Sequence, residues 1–159
     1  MLVNLEWYEI EKATFVGIRR TIESIKMGLK DAHGYTGKDP WEMNCLGACG
    51  EYATAKLLDR PWSGSINTFK AADIGEKIQV RSSKRIDAPL IVRPNDDPDH
   101  FYFLAIATHP YLKQFDIVGY IQGKVAQAMP LSDNGNGRKP VHFIKQEQLQ
   151  PVARAIRER

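Results

Sequence analysis

The hydrophobic pattern changes its period once along the chain, and that change limits the fold more than any other feature. Up to residue 59 the apolar residues recur every three or four positions. After the turn-rich segment "RPWSGS" (60–65) they fall into short runs and alternations. The first period belongs to helices with one buried face, the second to strands. Helices, then strands, then a last short helix predict an α+β fold with a mixed central β-sheet flanked by helices. With 159 residues, no internal repeat and no boundary in composition, the chain reads as a single domain, 1–159.

Two helices are expected in the first part. Residues 3–30 read as a long amphipathic helix, with Gly17 the point at which it can be interrupted. Ile10, Phe15, Ile18, Ile22, Ile25 and Leu29 make a stripe that predicts the core-facing side. "AHGYTGKDP" (32–40) reads as a loop. Asp39 before Pro40 then predicts an N-cap with proline at the first helical position, opening a helix over 40–59. Gly47, Ala48 and Gly50 weaken that helix by propensity, so their use predicts close approach to a neighbour. Expected strands are 66–73, 77–83, 88–93, 101–108 and 115–122. "FYFLAIAT" (101–108) is nearly continuously apolar, as a central strand covered on both faces requires. "PLSDNGNGRKP" (130–140) reads as a loop and "VHFIK" (141–145) as a short extended piece. Pro151 starts or breaks a final basic helix.

A formal charge of +3 permits a nucleic-acid partner without demanding one. Its distribution says more: residues 138–159 hold six basic residues against two acidic ones, and 19–38 hold five against two. Such segregation suits a phosphate-facing surface and equally suits solvated helix faces. The two cysteines, Cys45 and Cys49, lie four apart in the second helix, a spacing poor for a disulfide and without a partner pair for zinc. They are expected to be small core residues. The N-terminus does not read as a secretory leader and no apolar run nears the ~20 residues of a membrane span, so the expectation is a cytoplasmic protein with no membrane partner.

"GACGEYATAKLL" (47–58), "AADIGEKIQVRSS" (71–83), the apolar strand and "FDIVGYIQGK" (115–124), in that order, resemble the PD-(D/E)XK, or restriction-endonuclease-like, nuclease superfamily. More narrowly, they look like its small members encoded by bacteriophages and prophages. The resemblance spans roughly residues 5–150. It implies a restriction-endonuclease-like sheet, Mg²⁺ (or Mn²⁺) as cofactor, hydrolysis of phosphodiesters in DNA, and a bacterial or phage-infected host cell. Glu51 matches the helix glutamate, Asp73 the hairpin aspartate, Gln79 the variable acid and Arg81 the lysine. The resemblance thus makes Glu51, Asp73 and Gln79 the metal ligands. Arg81 is then expected to position phosphate or water. Outside the matched motif, the basic Arg20, Lys84 and Arg85 are the expected nucleic-acid contacts.

Two of these positions depart from the superfamily. Gln79 supplies a neutral oxygen, which predicts weaker metal affinity than glutamate. Arg81 stays protonated and so serves as a fixed cation, never as a general base. An alternative reading follows: a catalytically inactive nuclease-fold module that binds nucleic acid or protein. The strand register also stays open, since Asp73 can face Lys77 across a three-residue loop or Ile78 across a two-residue Gly75-Glu76 turn. Asp96, Asp97 and Asp99 in "NDDPD" read as a turn, with an alternative metal site as the rival. His33 is a candidate phosphate contact or acid. His109 and His142 have no motif around them, and Ser82 and Ser83 have no histidine arranged to make a nucleophile.

Overall fold

The computed structural model describes residues 1–29, 39–66, 71–133 and 139–157. In chain order these form β1 (Leu2–Asn4), α1 (Trp7–Lys26), α2 (Pro40–Leu58), β2 (Ile78–Ser83), β3 (Leu90–Val92), β4 (Phe101–Ala107), β5 (Gln114–Gln122), α3 (Gly123–Gln127), β6 (His142–Ile144), a 3₁₀ turn (Gln146–Gln148) and α4 (Val152–Arg157). The main sheet runs β1-β5-β4-β2. Its β2–β4 pair is parallel and its other pairs antiparallel, while β3 and β6 make a separate antiparallel pair. The architecture is therefore α+β with a mixed sheet flanked by helices. Among the described residues no helix is long and apolar enough to cross a membrane.

β4 lies between β5 and β2 and is covered on both faces, as its unbroken apolar run requires. Phe103 and Ala105 face α2 with Val80, Phe115 and Ile117, whereas Tyr102, Leu104 and Ile106 face Leu90, Val92 and Ile144 on the β3–β6 side. The strand period of two thus splits one apolar segment between two cores.

α2 begins as expected. The Asp39 carboxylate accepts from the Trp41 N–H at 2.9 Å, and Pro40 occupies the first position. Gly50 lets this helix rest on β2, because a Cβ there would stand 2.0 Å from Ser82 Oγ. Gly47 departs from the expectation: among the described residues nothing lies within 4 Å of its Cβ position. Cys49 is fully buried, and burial pushes its thiol up to about 12, so it behaves as a small apolar residue.

Three other expectations are corrected. The chain does not enter a helix at residue 3. Residues 2–4 pair instead with β5, and the helix starts at Trp7, where the Glu9 carboxylate accepts from the Glu6 N–H. The bulky stripe of α1 is not its core face. Phe15 and Ile25 are each 62% exposed, while Ala13, Gly17 and Thr21 are buried against α2. Close approach selects the smaller face, since a Cβ on Gly17 would lie 2.7 Å from backbone atoms of Asn44 and Cys45. Finally, the expected strand at 66–73 is absent among the described residues. Residues 67–70 lie outside them, and only isolated bridges of Ile74 to Trp62 and Ile78 follow.

Candidate functional site: a cleft at the β2 edge

The turn before β2 adopts neither register that the sequence left open. Ile74 faces Ile78 across residues 75–77, with Gly75 at φ +57°, a left-handed conformation that glycine adopts without steric penalty. Both isoleucines are buried, Ile74 completely, and this fixes the register. Asp73, the neighbour of Ile74, turns to the other side and joins Gln79 and Arg81 in lining a cleft of about 590 Å³. The Val80 N–H donates to Asp73 Oδ2 at 2.8 Å, and the Gln79 amide donates to the Ala71 carbonyl at 3.0 Å. Asp73 Oδ1 and Gln79 Oε1 accept no hydrogen bond among the described residues.

Glu51 is buried on α2 beside this cleft. Arg20 reaches it from α1 with two parallel bonds, Nη1 to Oε1 at 2.6 Å and Nη2 to Oε2 at 2.8 Å. The Trp62 indole N–H adds a third bond to Oε2 at 3.0 Å, and Arg20 Nε is itself fixed on the Ser65 carbonyl at 2.8 Å. Charge and geometry match in this forked pair, which leaves Glu51 no uncommitted oxygen. Asp73 responds to its surroundings: burial first, then the charge of Glu51, push its carboxyl up to about 7. The Val80 N–H, Arg81 and Arg20 oppose that shift.

Arg81 points into the cleft and is held from two sides. Its Nη2 donates to Asp96 Oδ2 at 3.1 Å, and its guanidinium lies 5.4 Å from the Tyr102 ring centre. Its Nε is buried, with no hydrogen-bond partner among the described residues. Asp96 also accepts from the Arg93 N–H at 2.9 Å, so one side chain closes the turn and anchors Arg81. The "NDDPD" segment is indeed a turn. What sequence reasoning missed was its second job, together with the parts played by Trp62 and Tyr102. An acid placed in a turn opposite an arginine-bearing strand was the available signal for Asp96. Trp62 and Tyr102 offered none.

The remaining candidates lie elsewhere. Lys84 pairs with Glu42, and Arg85 pairs with Asp87 at 3.2 Å; neither lines the cleft. His142 is buried with Nδ1 2.8 Å from the Met129 carbonyl, and the His109 ring lies tilted beside Tyr111, 5.6 Å between centres. Ser82 sits beneath Gly50, and Ser83 Oγ accepts from the Arg85 N–H. His33 lies outside the described residues.

No group of three His, Cys, Asp or Glu residues suited to a metal ion occurs among the described residues. The donor set of the cleft fits a more modest site. Asp73 Oδ1 and Gln79 Oε1 are two hard oxygens on the lining of one cleft, and magnesium commonly takes one or two protein oxygens and completes its shell with water and substrate phosphate. Glu51 does not fit as a direct ligand while Arg20 holds both of its oxygens. No family model, no curated protein and no solved structure matches the chain.

Proposed function

We propose that the chain is a divalent-metal-dependent nuclease of restriction-endonuclease-like fold that hydrolyses phosphodiesters in DNA at the β2 cleft. The observation that carries this reading is the convergence of Asp73, Gln79 and Arg81 on one cleft, two of them with uncommitted oxygens. Asp73 and Gln79 are the residues to hold Mg²⁺ or Mn²⁺, which supplies charge neutralisation on the phosphate and a more acidic bound water. Arg81, fixed by Asp96 and Tyr102, offers its Nη1 N–H groups to the developing charge of the phosphate without any conformational search. Glu51 acts through Arg20, fixing that guanidinium at the cleft wall and adding negative potential beside Asp73.

A second reading, a nucleic-acid-binding module without hydrolysis, has one observation in its favour. The Arg20–Glu51 pair takes out of use the second carboxylate on which a tightly bound metal depends. A cleavage assay separates the two. Contaminant-free protein is incubated with single- and double-stranded DNA in Mg²⁺, Mn²⁺ or EDTA, beside Asp73→Asn. Metal-dependent cutting that the variant loses supports the nuclease. Retention of DNA with no cutting under any metal supports the binding module.

A further inference from the structure

A second cavity, of about 500 Å³, opens where α2 ends and the chain turns back through Arg60, Pro61 and Trp62. Its walls combine two kinds of side chain. Tyr52 and Trp62 meet edge to face with ring centres 5.2 Å apart, and both rings are only partly buried. Around them stand Lys12, Lys56 and Arg60 against a single acid, Asp59. Lys56 is committed to Glu9 at 2.6 Å. Lys12 lies 5.8 Å from the Tyr52 ring centre, and among the described residues neither it nor Arg60 sits in an ion pair.

We propose that this cavity is a subsite for one unpaired nucleotide of a single-stranded nucleic acid, its base against Trp62 and Tyr52 and its phosphates between Lys12 and Arg60. Aromatic faces take any base once it is unstacked, and nearby cations hold the backbone on either side. A duplex cannot present a base in that way. The volume lies within the range of roughly 300–1,000 Å³ usual for small-ligand sites, enough for a nucleotide and too small for a helix. Trp62 joins the subsite to the cleft. Its ring lines the cavity, and its indole N–H bonds to Glu51, whose partner Arg20 lines the cleft. The inference shares with the proposed function the choice of nucleic acid as ligand, and it requires neither metal nor hydrolysis.

The test is fluorescence anisotropy in EDTA at low salt with a labelled single-stranded 12-mer, its duplex, and a free nucleoside monophosphate as competitor. Lys12→Ala/Arg60→Ala changes two exposed residues and leaves the core untouched. It is expected to weaken single-strand binding about tenfold and to flatten the salt dependence by about 1.4 in log–log slope. Lys113→Ala/Lys124→Ala removes equal charge elsewhere and is expected to stay within about twofold. Single strand should also bind at least about tenfold tighter than duplex, because the rings need an unstacked base. Equal losses in the two variants, duplex binding as tight as single strand, displacement by the monophosphate at equal concentration, or no binding at all would each overturn the proposal. Strand binding without cleavage in Mg²⁺ retains the subsite and removes the nuclease reading. Cleavage that survives the Lys12/Arg60 change with unaltered strand affinity does the reverse.

Discussion

Arg20 grips Glu51 through two parallel hydrogen bonds of 2.6 and 2.8 Å, with the two side chains only 14% and 7% exposed. This pair helps to tie the first helix to the second, beside the Asn44–Thr21 bond, and it sets how much negative charge the cleft offers. A buried pair of this kind is hard to break from one side, because the remaining charge has no water to turn to.

Arg20→Met should therefore destabilise the protein by about 3–5 kcal/mol, the usual result of leaving one buried charge unpaired. The double change Arg20→Met/Glu51→Leu should recover most of that loss, since both charges then disappear. Urea denaturation of the three proteins checks this. A single variant as stable as the parent would mean that Glu51 is not held as described.

Asp73 makes stability depend on pH in a defined direction. Its carboxyl is pushed up to about 7 in the folded protein, from 3.8 when unperturbed. Between these values the folded state binds more protons than the unfolded chain, so stability falls as pH rises from about 4 to 7 and levels off above. Asp73→Asn keeps an oxygen for the Val80 N–H and removes the titration. It should be more stable than the parent at pH 8, by at most about 4 kcal/mol, and equal to it near pH 3.5. Thermal melts across this range give the answer; a parent that gains stability between pH 4 and 7 relative to Asp73→Asn contradicts the assignment.

Two glycines of α2 should respond oppositely to alanine. Gly50→Ala drives a methyl onto Ser82 Oγ and should cost about 1–3 kcal/mol. Gly47→Ala meets nothing within 4 Å among the described residues and should stabilise the helix by up to about 1 kcal/mol. Equal effects in denaturant titrations would show that α2 does not rest on β2 through Gly50.

The orientation of α1 can be tested in the same way. Phe15→Gln and Ile25→Gln lie on the exposed stripe and should change stability by less than about 0.5 kcal/mol. Ala13→Leu overfills the face against α2 and should cost at least about 1 kcal/mol. Losses of several kcal/mol at Phe15 would place the stripe in an interior and reverse the assignment.

What could be read in advance follows from the range of each interaction. Asp39 and Pro40 start α2 through bonds two residues long, and 101–107 is a central strand because its own alternation fills two cores; both were legible. The buried face of α1 was not, because hydrophobicity favoured Phe15 and Ile18, whereas the helix crossing demanded the small Ala13 and Gly17. The same distinction holds in the cleft. Asp73, Gln79 and Arg81 are close in sequence and were read together, while the Arg20 clamp on Glu51 spans 31 positions and the Asp96 anchor of Arg81 depends on where a loop folds back. The turn register needed Ile74 to be buried opposite Ile78, a tertiary fact that no local turn preference contains.

The measurement closest to the central claim is Mg²⁺ and Mn²⁺ titration by calorimetry at pH 8, where Asp73 is ionised, on the parent, Asp73→Asn and Gln79→Leu. The titrations are run with and without a DNA oligonucleotide. The parent should bind metal weakly and more tightly with DNA present; Asp73→Asn should abolish this binding and Gln79→Leu reduce it. Binding that is indifferent to both substitutions, or no binding even with DNA present, would contradict a cation site at the β2 cleft.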